Sequence, residues 1–482
     1  MGASWFKRKV LILGLSKSGI SAAKYLNIHG AEVFITELRE KNDEDRLNIE
    51  ELNSLGIKVE MGGHSEEFIK DSYIAITSPG IPPHSKIFTK LKEKNISVIS
   101  EVELAYRESR KPFIAITGTN GKTTTTALVS HILSEEYKAP ACGNIGNPPC
   151  DFLDEEIDYF VCEMSSYQIA TSVSFQAQIA CWLNFTPDHL DWHGGLDNYF
   201  EAKAKLFKAP QNPSFAIFNG ADEKLLEFSK TCLSEVFLFA KEVEDNCCYI
   251  KETPRTPESS PVRGEWENSS PISHKKAFQP FSLSALSIYF KRNKKEELII
   301  DLNDCPLVGE HNYQNIMCAV IIAKLVGLEN EKITSAIKTF KSPEHRLEYV
   351  REYKGIKFYN DSKATNPEAA IVAIKSFNNT DAVLIAGGRD KNTDLGEFCR
   401  EIKTHIQSVI LIGEASKRFE ENLKKNGFGN IIFEETLESA IDKSIELNPQ
   451  VVLLSPACAS FDMFKSYEER GKVFKDYVLS KS

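Results

Sequence analysis

A chain of 482 residues exceeds what one hydrophobic core can hold, so about three domains are expected. With 42% hydrophobic and 26% charged residues it has the composition of an ordinary globular protein, and a formal net charge of −10 argues against nucleic acid or an anionic membrane as a partner. The 11 cysteines are odd in number and form no CxxC pair, which excludes a full disulfide framework and fits a reduced, cytoplasmic setting; no stretch reaches the ~20 apolar residues of a membrane span.

Lys7-Arg8-Lys9 precedes the apolar run Val10-Leu11-Ile12-Leu13. The run is too short for a secretory signal and breaks at Ser16-Lys17-Ser18, so it reads as a first strand. The Gly14–Gly19 turn, a helix to about Gly30 and a strand at Glu32–Glu37 make a βαβ opening of nucleotide-binding type. Ser16 stands where the GxGxxG fingerprint has its middle glycine, which disfavours close approach of a dinucleotide pyrophosphate. A strand at Tyr73–Thr77 runs into the rigid Ser78-Pro79-Gly80-Ile81-Pro82-Pro83, at a carboxyl end where ligands sit in open α/β sheets. The polar stretch Arg107–Pro112 closes a first domain, residues 1–109.

The strand Phe113-Ile114-Ala115-Ile116 then leads into Gly118-Thr119-Asn120-Gly121-Lys122-Thr123-Thr124. Strand, glycines, lysine and hydroxyls come in the order a phosphate cradle needs. Backbone N–H groups and a helix N-terminus face one concavity, Lys122 reaches the outer phosphates, and the Thr123 hydroxyl can ligate Mg²⁺. Binding of ATP or GTP is expected. Glu163 ends the strand Tyr159–Glu163 and is placed to hold the nucleotide's Mg²⁺. The strand Ile179–Asn184 leads to His189 and His193, four residues apart. A zinc reading is disfavoured, because HExxH is absent and Pro187 and Gly194-Gly195 predict a loop; one histidine beside a Mg²⁺–phosphate site fits better. The helix Tyr199–Phe207 carries Lys203 and Lys205, which on the residues alone read as solvated charges.

Residues 251–280, rich in Pro, Ser, Glu, Lys and Arg, read as a surface insertion, followed by strands at Phe281–Phe290 and Leu298–Leu302. From Lys341-Ser342-Pro343 the strands Lys357–Asn360, Ala382–Ala386, Ser408–Ile412 and Val451–Leu454 alternate with helical stretches, a second doubly wound α/β unit. The expected architecture is α/β in three domains: a Rossmann-like domain over 1–109, a P-loop domain over 110–342 and a second Rossmann-like domain over 343–482.

Gly118–Thr124, Gly143-Asn144-Ile145-Gly146, Glu163–Gln168, Asp188–Asp191, Ala202-Lys203, Gly309–Asn315 and His345-Arg346 occur in the order found in the Mur ligases of peptidoglycan synthesis, which the chain resembles over nearly its whole length. Asn360–Asn366, Gly387–Lys391 and Leu454–Asp462 resemble the branch of that family that adds D-glutamate to UDP-N-acetylmuramoyl-L-alanine. The resemblance implies an ATP-dependent, ADP-forming amide ligase working through an acyl phosphate. It implies two Mg²⁺ ions held by Thr123, Glu163, His189 and a carbamylated Lys203, with Lys122, His189 and Lys203 as the catalytic groups. CO₂ addition would turn the Lys203 cation into a bidentate anion, which a second Mg²⁺ needs. Further ATP contacts implied are Gly118, Thr119, Asn120, Gly121, Thr123, Thr124, Asn312, Asn315, His345, Arg346 and Asp361. D-Glutamate would meet Lys363, Thr365, Lys391, Ser460, Phe461 and Tyr467; the family pattern has leucine at 461 and phenylalanine at 467. UDP-sugar would meet Lys17, Ser18, Arg39, Ser78, Gly80 and Asn144. A monomer is the family expectation. The rivals are a ligase adding another amino acid, a P-loop kinase, and a nucleotide-binding switch without catalysis.

Overall fold

The protein is described by a computed structural model over residues 5–42, 45–208, 210, 212–254, 284–307, 309–377, 380–390 and 393–481. Lys391 and most of the expected insertion lie outside the described residues. Among the described residues the strands form three sheets. The first holds β1 (Lys9–Leu13), β2 (Glu32–Glu37), β3 (Lys58–Met61), β4 (Ile74–Thr77) and β5 (Val98–Ser100), all parallel, in the order β3-β2-β1-β4-β5. The second holds β6 (Phe113–Thr117), β7 (Ala141–Gly143), β8 (Phe160–Glu163), β9 (Ile179–Trp182), β10 (Phe215–Asn219), β11 (Glu235–Phe239), β12 (Cys247–Pro254), β13 (Ser284–Arg292) and β14 (Lys295–Asp301). Its order is β14-β13-β12-β11-β10-β9-β6-β8-β7, parallel except for the β12–β13–β14 meander. The third holds β15 (Glu348–Tyr353), β16 (Ile356–Asn360), β17 (Ala382–Gly387), β18 (Ser408–Ile412), β19 (Ile431–Phe433) and β20 (Val451–Leu454), in the order β15-β16-β20-β17-β18-β19, with only β15 antiparallel.

The central strands are apolar because parallel strands are covered on both faces. Every residue of Val10–Leu13, Phe113–Thr117 and Ala382–Gly387 is buried. Two compact units result: one contains the first two sheets, the other contains the third sheet and Pro306–Tyr313. In the first unit one apolar cluster runs from Val10 and Ile12 through Val102 and Leu104 to Phe113, Phe160 and Trp182, so the two sheets share a core.

That junction is reinforced by two buried carboxylates on the helix Glu101–Glu108. Glu103 accepts the N–H groups of Val173, Ser174 and Phe175 at 2.8–3.1 Å, the Ser174 hydroxyl at 2.5 Å and Arg107 Nε at 2.7 Å. This many donors offset the cost of taking the carboxylate out of water. Glu101 accepts the Cys150 N–H, at 2.8 Å, with the weakly donating Cys150 thiol beside it. Burial therefore dominates and pushes its carboxyl up to about 7.

Two local expectations fail. The stretch after Asn184 is not all loop: Leu190–His193 forms one helical turn, closed by Gly194 at φ 71°. His189 starts it in the left-handed region, its N–H donating to the Asp188 carboxylate at 2.8 Å. The helix expected through Phe207 is α-helical over Leu196–Ala204 and tightens to a 3₁₀ turn at Lys205–Phe207. No helix among the described residues is long and apolar enough to cross a membrane.

Because the folded Glu101 carboxyl titrates near 7 and the unfolded one near 4.5, the folded state binds the extra proton. This group's contribution is fully favourable below pH 4.5 and is lost as pH rises towards 7. Glu101→Gln keeps the acceptor for Cys150 and removes the charge. Denaturant unfolding is expected to show the variant's advantage growing from pH 4.5 to 7 and then levelling off, at up to about 3 kcal/mol.

Candidate active site

β6 delivers the chain to the phosphate loop, and the helix Lys122–Leu133 carries it away. Gly121 caps that helix at φ 81°, and a Cβ there would lie 2.7 Å from Asn315 Oδ1, so only glycine fits. The loop is shaped by Asn184, at the end of the neighbouring strand. Its Oδ1 accepts from Thr119 N and Asn120 N at 3.0 and 2.8 Å, and its Nδ2 donates to Asn120 O at 3.1 Å. Lys122 Nζ donates to the carbonyls of Gly118 and Thr119 at 2.9 and 2.7 Å.

Lys203 is not solvated. It is 1% exposed, and its Nζ donates to Gly118 O at 2.9 Å and weakly to Thr117 Oγ1 at 3.4 Å. Burial, followed by the nearby Lys122, holds its ammonium well below the usual lysine range; Asp188 and Glu163 oppose the shift. The shift runs towards the uncharged, nucleophilic amine. Glu163 ends β8 beside β6, with Oε1 accepting from Asn144 Nδ2 at 2.8 Å. Its Oε2 is buried and has no hydrogen-bond partner. An orphaned buried carboxylate oxygen fits a cation ligand. Among the described residues no three His, Cys, Asp or Glu side chains cluster as a metal site.

His189 lies over this region with its ring 4.9 Å from that of Tyr167, and His193 Nε2 lies 2.9 Å from Ser166 Oγ. In the first sheet the turns after β1 and β4 meet at the point where strand order reverses, with Ser16 Oγ and Ser78 Oγ 2.7 Å apart. Ser18 Oγ is 3.1 Å from Ser16 Oγ, and Lys17 Nζ donates to Gly146 O at 2.6 Å, two residues from Asn144. Gly80 is exposed with open space around it, whereas Arg39 is held bidentately by Asp45 at 2.6 Å.

The second unit gathers its own set at the carboxyl ends of β16, β20 and β17. Asp361 accepts Ser455 Oγ at 2.8 Å and Leu347 N at 3.1 Å. Burial outweighs these bonds and the nearby Arg346, and pushes its carboxyl up to about 7. Lys363 N donates to His345 O at 3.0 Å, and its Nζ stands 5.6 Å from the Tyr467 ring centre. Thr365 N donates to Lys363 O at 2.9 Å; Ser460 is buried and Phe461 exposed. Asn312 and His345 are buried, and His345 lies 2.9 Å from Asn360 Nδ2.

Residues 8–100 match the MurD-like N-terminal domain of Mur ligases, residues 116–323 the Mur ligase middle domain, and residues 345–458 the Mur ligase glutamate ligase domain. The UDP-N-acetylmuramoylalanine--D-glutamate ligase of Thermoanaerobacter pseudethanolicus is 38% identical over 479 residues, covering 98% of both chains. The enzyme of that name from Clostridioides difficile strain 630 is 35% identical over 487 residues, again covering 98% of both. This chain belongs to the Mur ligase family. Its fold is also that of the solved Mur ligases. MurC of Thermotoga maritima superposes with a TM-score of 0.58 at 18% identity, over 98% of this chain and 100% of that one. MurF of the same organism, solved with ADP, gives 0.58 at 14% identity over the whole of both chains.

Two side chains that shape this Mur ligase were not singled out from the sequence. Asn184 carried a local signal, an Asx residue at the end of the strand beside the phosphate loop. Glu103 carried little, because apart from Arg107, four residues on, its partners lie about 70 residues away. Glu163→Gln keeps the bond from Asn144 and removes the charge at Oε2. Its Mg²⁺-dependent ADP release is expected to fall about 100-fold or more with little change in melting temperature, read in a Mg²⁺ titration.

Proposed function

We propose that this Mur ligase joins D-glutamate to UDP-N-acetylmuramoyl-L-alanine, forming ADP and phosphate, as a step of peptidoglycan precursor synthesis in the cytoplasm. The observation carrying the reading is the shared cradle of the phosphate loop, the orphaned Glu163 oxygen and the desolvated Lys203. The names of the full-length relatives supply the substrates.

The terminal carboxylate of the sugar-linked alanine attacks the γ-phosphorus of ATP. An acyl phosphate forms and ADP leaves. The amine of D-glutamate then attacks the acyl carbon, and phosphate departs with the C–O bond. Two anions must meet in the first step, so the site must cancel charge where it develops. Lys122 leaves the carbonyls of Gly118 and Thr119 for the β- and γ-phosphates, while the loop amides and helix N-terminus face the same oxygens. Thr119, Asn120, Thr123 and Thr124 complete the loop's contacts, and Asn312, Asn315, His345, Arg346 and Asp361 hold the rest of the nucleotide. Two Mg²⁺ ions held by Thr123, Glu163, His189 and a carbamylated Lys203 would neutralise phosphate charge. Lys203 reaches that state when its neutral amine adds to CO₂, giving a carbamate and releasing one proton.

Lys17, Ser18 and Arg39 seat the UDP, with Ser78, Gly80 and Asn144 nearer the sugar and peptide. Lys363, Thr365, Lys391, Ser460, Phe461 and Tyr467 receive D-glutamate. Most of each set falls in residues 1–109 for the sugar nucleotide, 110–342 for ATP and 343–482 for the amino acid. The working form is a monomer.

ADP release is expected only when ATP, the UDP-sugar peptide and D-glutamate are all present. A panel of amino acids checks this; equal release with L-glutamate, L-alanine or none would end the proposal. Lys203→Arg places a permanent cation there and cannot form the carbamate, and turnover is expected to drop at least about 100-fold while ADP binding, followed by calorimetry, is retained.

A further inference from the structure

The first turn of the C-terminal helix Tyr467–Ser480 places Arg470 beneath the carboxyl ends of three adjacent strands. The side chain is 1% exposed. Its Nε donates to Ser362 Oγ at 3.0 Å, just past β16. Its Nη2 donates to Ser362 O at 2.8 Å and to Cys458 O at 3.1 Å, the latter just past β20. Its Nη1 is buried without a hydrogen-bond partner and abuts Gly388, just past β17, where a Cβ would lie 3.2 Å away. Gly388 has φ 131°, and that Cβ would also lie 2.4 Å from Ala459 O, so glycine keeps the space open.

All three acceptors are neutral, and Arg470 forms no ion pair among the described residues. A buried charge is ordinarily paired, because an opposite charge offsets the cost of leaving water. The acid that acts on it, Asp462, does so at longer range; its Oδ2 accepts Glu414 N at 3.0 Å, and its Oδ1 is itself buried and unpartnered. Burial lowers the guanidinium only to about 10, so it remains charged at neutral pH. The same side chain also positions the pocket. Ser362 precedes Lys363 and donates to Tyr467 O at 2.8 Å, and Cys458 stands two residues before Ser460.

We propose that Arg470 is a specificity-determining positioning residue: a buried cation hydrogen-bonded only to neutral acceptors, which favours a second carboxylate on the incoming amino acid and fixes the loops bearing Lys363 and Ser460. The inference rests on the D-glutamate reading above. A neutral side chain in that pocket adds nothing to the longer-range attraction of Asp462, whereas a carboxylate brings a second anion.

The test compares D-glutamate with its neutral analogue D-glutamine in the full-length chain, following ADP release with ATP and the UDP-sugar peptide saturating. Arg470→Met removes charge and donors; Arg470→Gln, should the first not fold, removes the charge and keeps a donor; Arg470→Lys keeps the charge. The kcat/KM preference of the wild type for D-glutamate over D-glutamine is expected to fall at least about tenfold in the Met or Gln variant. KM for ATP and for the sugar substrate should stay within about twofold, and the Lys variant should recover much of the preference. A Gln variant with the wild-type preference, Gln and Lys variants that lose it equally, or a common rise of all three KM values with a fallen melting temperature would each overturn the inference and reduce Arg470 to a structural role. Those outcomes leave the D-glutamate reading standing. A wild type without D-glutamate-dependent ADP release overturns the reading and the inference together.

Discussion

Two lysine amines that share one carbonyl disfavour each other's charge, the more so as they leave water. Lys122 and Lys203 both donate to the carbonyl of Gly118, so the phosphate loop contains that conflict. The more deeply buried of the two yields, and Lys203 is the one whose ammonium is suppressed. The rest of the site follows from this constraint. Glu163 and Asp188 act on the same point with opposite sign, and Asn184 keeps the loop amides in place while the lysines compete. The ends of β6, β8 and β9 converge there because a parallel sheet brings its carboxyl ends to one edge.

Glu103 and Arg470 are both fully buried charges, and their surroundings give them opposite meanings. Glu103 is saturated by backbone amides, a hydroxyl and a guanidinium, so nothing remains for it to bind and it acts as a rivet between two sheets. Arg470 meets only neutral acceptors in its hydrogen bonds and keeps both N–H groups of Nη1 unspent. Satisfaction of the hydrogen-bonding capacity, rather than burial, separates a structural charge from one that awaits a ligand.

Features set by neighbouring residues were legible in the sequence. The strands β2, β18 and β20 lie at the residues expected, because an uninterrupted apolar run bounded by polar residues permits little else. The phosphate loop was legible for the same reason, all its parts lying within ten residues. Lys203 was not. It shares a helix with Glu201 and stands two residues from Lys205, and nothing local distinguishes the lysine whose Nζ will be buried against the Gly118 carbonyl. Only the family resemblance singled it out. The turn at Leu190–His193 was hidden because Pro187 and Gly194-Gly195 are breakers that frame it closely, and a four-residue helix has no periodicity of its own.

The shared core of the first two sheets has a consequence for substrate choice. With Glu103 riveting the helix after β5 to the segment before β9, the turn at Ser16 and the phosphate loop are held at a set span. A ligand seated by its diphosphate at one end must extend a carboxylate to the other, so on the proposed reading the unit acts as a ruler. A sugar nucleotide too short to reach, or one extended by further residues, would place its carboxylate off the line of the γ-phosphate. Selection by length then needs no contact with the atoms that distinguish one precursor from the next.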